Sequence, residues 1–474
     1  MHYLDILVLG VYATTLVIIG FFRSGSSRSN PEEYLLMGRR LSLPGFIATL
    51  VTTWYGGILG LGENTYLYGV QTWFIFALPY YVFGLIFALF LAKRISIAKF
   101  ISIPDHFHHH YGRSAGIVSA IFIMVLASPA PYILSIGILL QTFLDISLGW
   151  ALIFALGASM VYIWTGGFGA VIRTDIFQFI LMYAGFIILL GFAWGEYGSP
   201  ISMISQLPET HIDPFGGMSV QYIFVWFFIA MWTFVDPGFY QRCAAANSPV
   251  TAKKGILISL VFWFIFDLLT ITIGLYAKFA LDISDPLFAF PLLGMEILPP
   301  IIFGLFIVGI LATIMSTVDS LGFISAITFG RDIMWRIQVT ETGKTPVMDR
   351  TMTPKVQKGL FVMAFLALAL AVTVPSVVRL WYVTGSIIVP GLLLPFLMTF
   401  RTNYKIPENI IQLMTLPVMI AIIWFILGNL TGGYPFELEP FYPGLLTSLI
   451  IFISGELNGS SYLKKISSTI NHIN

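Results

Sequence analysis

Apolar runs of roughly twenty residues, repeated from one end of the chain to the other and separated by short polar turns, confine this sequence to a lipid bilayer. Only 10% of its 474 residues are charged against 57% hydrophobic, and the mean hydropathy is +0.89, so no water-soluble core could absorb the apolar surface. The runs predict an all-α, polytopic fold of roughly thirteen spans. They lie near 3–22, 43–69, 72–92, 114–144, 147–165, 174–194, 220–246, 254–279, 296–329, 357–374, 378–400, 409–430 and 441–456, which leaves no room for a separate soluble domain.

An odd span number with the N-terminus outside puts all of the 24 Lys and Arg residues except Lys278 and Arg379 on the inner side. A missed or invented span in the middle would destroy that asymmetry. The first run is followed, not preceded, by Arg23 and Arg28 and has no small-residue cleavage site, so it reads as a retained span and not a signal peptide. Aromatics at 16% suit interfacial belts, and a net charge of +1 argues against a nucleic-acid partner. A single cysteine, Cys243, excludes an intrachain disulfide framework.

Polar residues inside such runs carry the function. In TGGFGAVIRTDIFQ, from Thr165 to Gln178, a glycine pair ends one run, Arg173 sits at the interface and Asp175 is carried into the next run. A capping box with Gln178 is the alternative role for Asp175. Two other spans are interrupted at mid-depth, the second by Gly56 and Gly57 and the seventh by Asp236, Pro237 and Gly238. Proline removes a helix donor and Asp236 is placed to cap the half-helix that follows. Irregular backbone at that depth survives where it lines a protein-enclosed cavity. Five spans separate the breaks, the spacing of two inverted five-helix repeats, here 43–194 and 220–400 with 1–42 and 401–474 flanking.

In the ninth span Thr313, Ser316, Thr317 and Ser320 share one helical face, with Asp319 beside them. A hard cation such as sodium takes several oxygens, and adjacent hydroxyls with a free carbonyl supply part of that shell. Hydroxyls at this spacing also bond back to the carbonyl four residues earlier or join helices.

These residues carry a resemblance. GGFGAVIRTDIFQ, NPEEYLLMGRRLSLPGF at 30–46, DPGFYQRC at 236–243 and MSTVDS at 315–320 resemble the sodium:solute symporter family over nearly the whole chain. The broken helices alone indicate only the wider leucine-transporter fold. The resemblance implies a sodium ion held by carbonyls of Leu50, Thr53 and Thr313 and hydroxyls of Ser316 and Thr317, with Asp175 close by. In some members a second sodium uses positions that match Asp319 and Ser320, so Asp175, Asp319 and Ser320 form a possible second cation site.

The sugar-transporting branch has Gln where this chain has Gly57 and Asn where it has Asp236, so a galactose-like sugar is not supported. No Lys or Arg is expected near the middle of any span, leaving half-helix N-termini to hold an anionic group. Trp54, Gly57, Glu63, Asp236, Tyr240 and Trp381 are the candidate solute contacts, Glu63 alternatively bonding a neighbour such as Tyr132. His106, His108, His109 and His110 lack a second ligand cluster and read as part of an inward-facing amphipathic stretch, not a metal site. No Walker loop, Ser-His-Asp set or HExxH is present.

The sequence therefore predicts a membrane symporter, not an enzyme. It would use sodium as coupling ion, without an organic cofactor, to import a small polar organic solute by alternating access, with no oligomer required. It would be a multi-pass protein of the plasma (inner) membrane with a cytoplasmic C-terminus. Proton coupling through Asp175 and Asp319, or a solute-gated sensor or channel on the same fold, is the alternative; the short tail after Ser454 argues against a sensor kinase.

Overall fold

The computed structural model describes residues 1–21, 30–338, 349–374, 376–401 and 409–454. Arg23, Arg28, Lys344, Lys405, Lys464 and Lys465, counted above as inner-side charges, and the last two residues of the thirteenth expected span lie outside the described residues. The principal helices are α1 (Tyr3–Phe21), α2 (Pro31–Leu36), α3 (Leu43–Trp54), α4 (Ile58–Tyr68), α5 (Gln71–Phe90), α6 (Ile103–Tyr111), α7 (Arg113–Leu144) and α8 (Leu148–Tyr197). The second half of the chain adds α9 (Val220–Ile229), α10 (Pro237–Ala245), α11 (Pro249–Ala280), α12 (Ile302–Ile327), α13 (Met352–Thr373), α14 (Val377–Met398), α15 (Ile410–Thr431) and the shorter α16 (Phe441–Ser454). Among the described residues ten helices are long and apolar enough to cross a bilayer, and eleven when the bent pair α3 and α4 counts as one span.

The expected spans 147–165 and 174–194 are the two halves of α8, whose 50 residues run on through a kink. At 1.5 Å per residue that is about 75 Å, against a hydrocarbon core of about 30 Å. It is divided at Gly167, whose φ of 55° and ψ of −147° leave the helical region. Only glycine adopts that backbone without strain. A Cβ there would also meet the Tyr34 carbonyl oxygen at 2.3 Å. The glycine pair read from the sequence is thus the seat on which α2 rests.

The most extensive packing is between α8 and α12. It rests on small residues: a Cβ on Gly309 would meet the Leu181 carbonyl oxygen at 2.9 Å, so the backbones approach as closely as small-residue membrane interfaces allow. Helix α1 lies against both. Its buried Asp5 accepts hydrogen bonds from the backbone N–H groups of Ile301 (2.8 Å) and Gly304 (3.0 Å), capping α12 from a distant part of the chain. Large apolar side chains such as Leu7, Phe154, Ile180, Phe365 and Leu430 remain exposed, the pattern of a surface solvated by lipid.

Where α6 meets the end of α12, four buried charges form one network. Asp105 accepts from Arg331 at 2.8 Å and from Arg336, and Asp332 accepts from both arginines. Burial alone would raise the Asp105 pKa, but the two guanidinium groups and the Ile101 N–H hold its carboxyl well below the usual carboxylate range. His106 packs among Phe100, Tyr240, Phe396 and Phe400, and burial, followed by the neighbouring His110, pushes its pKa down to about 3. The ring stays neutral and structural.

Two outcomes test this framework. Gly167→Ala lowers the thermal midpoint in detergent by an amount corresponding to about 1–3 kcal/mol; an unchanged midpoint overturns the role given to this residue. Asp105→Asn uncouples a buried charge network and costs about 3–5 kcal/mol at neutral pH. A carboxyl whose folded pKa is depressed stabilises above its unfolded value of about 3.9 and stops doing so as pH falls through the folded one. The stability gap between parent and variant, read by thermal shift, accordingly narrows below about pH 4.

Candidate functional site

Helix α3 ends at Trp54 because Gly56 and Gly57 follow, and the two half-helices α3 and α4 meet at 55°. Both glycines are required by neighbours. A Cβ on Gly56 would meet Thr317 Oγ1 at 2.5 Å, and one on Gly57 would lie 1.6 Å from the Trp381 indole. The second break begins with a 3-10 turn, Ala230–Val235, and passes through Asp236 with extended backbone into α10. Asp236 Oδ1 accepts from the Phe239 N–H at 2.8 Å, the N-cap anticipated from its position before Pro237.

The last turn of α3 faces α12, α8 and α10. Thr317 Oγ1 donates to the Thr53 carbonyl at 2.9 Å and lies 3.3 Å from that of Thr313. The Thr313 hydroxyl itself bonds back to Gly309 O at 2.7 Å, which leaves its carbonyl as the group offered to the site. Ser316 Oγ lies 2.8 Å from Thr52 Oγ1 and donates to Asp175 Oδ1 at 2.7 Å. Thr53, Thr313, Ser316 and Thr317 are therefore brought together, with Leu50 one turn before Thr53 on the same helix. Convergent neutral oxygens with one carboxylate beside them match what a sodium ion asks for.

Asp175 is fully buried and sits inside α8, not at a helix start, so the capping-box role falls away. Gln178 instead donates to Tyr12 OH at 3.2 Å. The second acceptor of Asp175, Oδ2, takes the Thr49 hydroxyl. Asp319 does not share this locus. Its carboxylate accepts from Ser159 and Tyr162 in the first half of α8, whereas Ser320, next to it in sequence but rotated about 100° around the helix, faces Thr53 at 3.0 Å.

One arginine near the end of a span nevertheless carries its charge to the break in α3. Arg242, on the last turn of α10, is completely buried and donates to Thr49, Thr53 and Ser320. Counting it among the inner-side charges missed this, because α10 begins at the break and keeps its last turn inside the protein.

A central cavity of about 130 Å³ opens beside these oxygens. Leu50, Thr53, Trp54, Gly57, Asp236 and Trp381 line it, and so does Asp267, which sequence reasoning passed over. The signal was available: Asp267 is a lone carboxylate in the apolar run LVFWFIFDLLT, the same pattern that singled out Asp175. Asp267 accepts the Tyr81 hydroxyl. Trp54 stacks in an aromatic cluster with Trp263 and Tyr80, each at 4.8 Å between ring centroids. Trp381 Nε1 donates to Tyr132 OH at 3.1 Å. Three polar groups of the wall, Trp226 Nε1, Trp232 Nε1 and Thr233 Oγ1, have no hydrogen-bond partner among the described residues. Glu63 is half-buried on α4 away from this lining, and Tyr240 faces a smaller pocket with Gln241 and Ile101.

Comparison with known proteins agrees with this architecture. The chain is 23% identical over 426 residues to high-affinity choline transporter 1 of Drosophila melanogaster, an alignment covering 82% of this chain and 64% of that protein. The chain thus spans just under two thirds of the fly transporter's length. It is 24% identical over 392 residues to the sodium/proline symporter of Staphylococcus aureus, covering 77% of this chain and 74% of the other. Its fold is that of a Na+-coupled sialic acid symporter solved in a substrate-bound, outward-open state, with a TM-score of 0.78, 16% identity and 96% of each chain covered. The family model for the sodium:solute symporter family matches residues 34–401. With a match over most of its length, the chain belongs to the sodium:solute symporter family.

Proposed function

We propose that this protein imports a small polar organic solute, one bearing an amino or several hydroxyl groups, by sodium-driven alternating access around the central cavity. Sodium-coupled symport of a small organic solute is the family's activity, and the protein is a transporter, not an enzyme. The observation that carries the proposal is the double position of α3's last turn. Leu50 and Thr53 line the solute cavity, while Thr53 also gives its carbonyl to Thr317 across the cation-suited oxygens. An ion that draws Leu50, Thr53, Thr313, Ser316 and Thr317 together would therefore shape the wall against which the solute rests.

The class of solute follows from charge. Among the described residues Asp236 and Asp267 are the carboxylates of the cavity wall, and no Lys or Arg lines it. Two carboxylates repel a simple anion across a low-dielectric space and attract a positive nitrogen or a hydroxyl donor. Aromatic faces of Trp54 and Trp381 add a surface suited to a cation or a small ring, and the unpartnered Trp226, Trp232 and Thr233 groups offer donors to an acceptor on the same solute. Similarity to proteins named for choline and proline transport supports this reading. The repeats would be 43–194 and 220–400, in an inner or plasma membrane with the N-terminus outside and the C-terminus cytoplasmic.

In proteoliposomes sodium, and not potassium, drives uptake, and Ser316→Ala combined with Thr317→Ala raises the sodium requirement at least tenfold, since each ligand removed from a buried cation costs on the order of 1–3 kcal/mol. Undiminished sodium-driven uptake by a correctly folded double variant removes the assignment. For Asp236→Asn, a role in selectivity gives a rise of about tenfold or more in the apparent KM for an amine-bearing solute with sodium binding preserved. A purely capping role lowers the thermal midpoint and leaves solute preference unchanged.

A further inference from the structure

The guanidinium of Arg242 is placed as an ion would be. Its Nη2 lies 2.8 Å from Thr49 Oγ1, 2.8 Å from Thr53 Oγ1 and 2.6 Å from Ser320 Oγ, and 3.8 Å from Asp175 Oδ2. A terminal guanidinium nitrogen has two hydrogens, yet three hydroxyl oxygens from two helices and a carboxylate from a third crowd around it. That is the environment of a cation cage more than of two directed hydrogen bonds. Arg242 Nε has no partner, so the side chain is held by its terminal nitrogens and by its charge. Phe168 supplies an aromatic face 5.7 Å from the guanidinium carbon.

A carboxyl as deeply buried as Asp175 either holds a proton or, when ionised, needs a compensating positive charge beside its hydrogen bonds. We propose that Arg242 is that charge. It is a tethered cation filling the cage of Asp175, Thr49, Thr53 and Ser320, so that a single sodium ion, bound between α3 and α12, accompanies each solute. The inference rests on the sodium-symport reading above and settles its stoichiometry. It also reassigns residues: Ser320 and Asp175 belong to the arginine's cage, and Asp319, tied to Ser159 and Tyr162, belongs to neither ion. Because Arg242 is carried by α10, the half-helix that starts at Asp236, its charge moves with the broken span and is never released.

The test uses the purified full chain and radioactive sodium ion as probe. The parent protein binds about one sodium per chain with a Hill coefficient near one. Arg242→Gln, which keeps amide donors and removes the charge, binds about two, or binds one and gains thermal stability from millimolar free guanidinium that leaves the parent unaffected. Arg242→Lys, which keeps a tethered cation, retains a stoichiometry of about one and shows no guanidinium effect. Two sodium ions bound by the parent overturn the proposal, as does a folded Arg242→Gln that still binds one sodium with unchanged affinity and ignores guanidinium. If that variant does not fold, the parent and Arg242→Lys decide the question by their stoichiometries alone. No sodium binding by a folded parent overturns the sodium-symport reading itself and the tethered cation with it.

Discussion

An ionised carboxylate deep inside a membrane protein has to be answered by hydrogen bonds and opposite charge, and the arrangement around Asp175 supplies both. Its two oxygens draw a hydroxyl from α3 and another from α12, and Arg242 arrives from α10. Four helices far apart in sequence are thereby fixed at one depth. The breaks in the two discontinuous spans follow from the same requirement. An unbroken α3 would carry Thr53 past Thr317 with its carbonyl already committed to the helix, and an unbroken α9 and α10 would not return Arg242 to the centre.

The ends of the molecule are held by different physics. At one membrane face Asp5 reaches across to the start of α12, and at α6 an Asp-Arg-Asp-Arg network fixes the end of the same helix. Helix α12 is pinned at both ends and lined with small residues along α8, which makes it the rigid member. Helices α3 and α10 approach it through side-chain hydroxyls and a guanidinium, contacts that can be exchanged without opening an apolar core.

The sequence was most legible where a single residue breaks a strong rule. Apolar runs marked the spans, the Gly56–Gly57 and Asp236–Pro237–Gly238 interruptions marked the discontinuous helices, and an acid in an apolar run marked Asp175. Less was visible where the outcome depends on where a helix points after a break. Arg242 lies near the inner end of the expected span 220–246 and counts there as an inner-side charge, and only the packing of α10 shows that its guanidinium turns inward. Asp319 and Ser320 are grouped with Asp175 by the family resemblance, whereas a helix sends neighbours about 100° apart, here Ser320 to Thr53 and Asp319 to Ser159 and Tyr162. Asp267 carried the same signal as Asp175 but no surrounding motif, and a lone carboxylate says nothing of whether it faces a cavity. The run 147–194 reads as two spans because a glycine pair is an ordinary turn signal, and the fold divides it at Gly167, in a kink seated against Tyr34.

The notch at Gly57 has a mechanical meaning. The Trp381 indole lies where any side chain at that position would be, and its ring nitrogen is tied to Tyr132 on a third helix. The bare glycine face lets the indole pack directly against the backbone at the break between α3 and α4, while the ring nitrogen holds it to α7. A single methyl group at position 57 would have to displace the indole, and with it the stretch of cavity wall that Gly57 and Trp381 share.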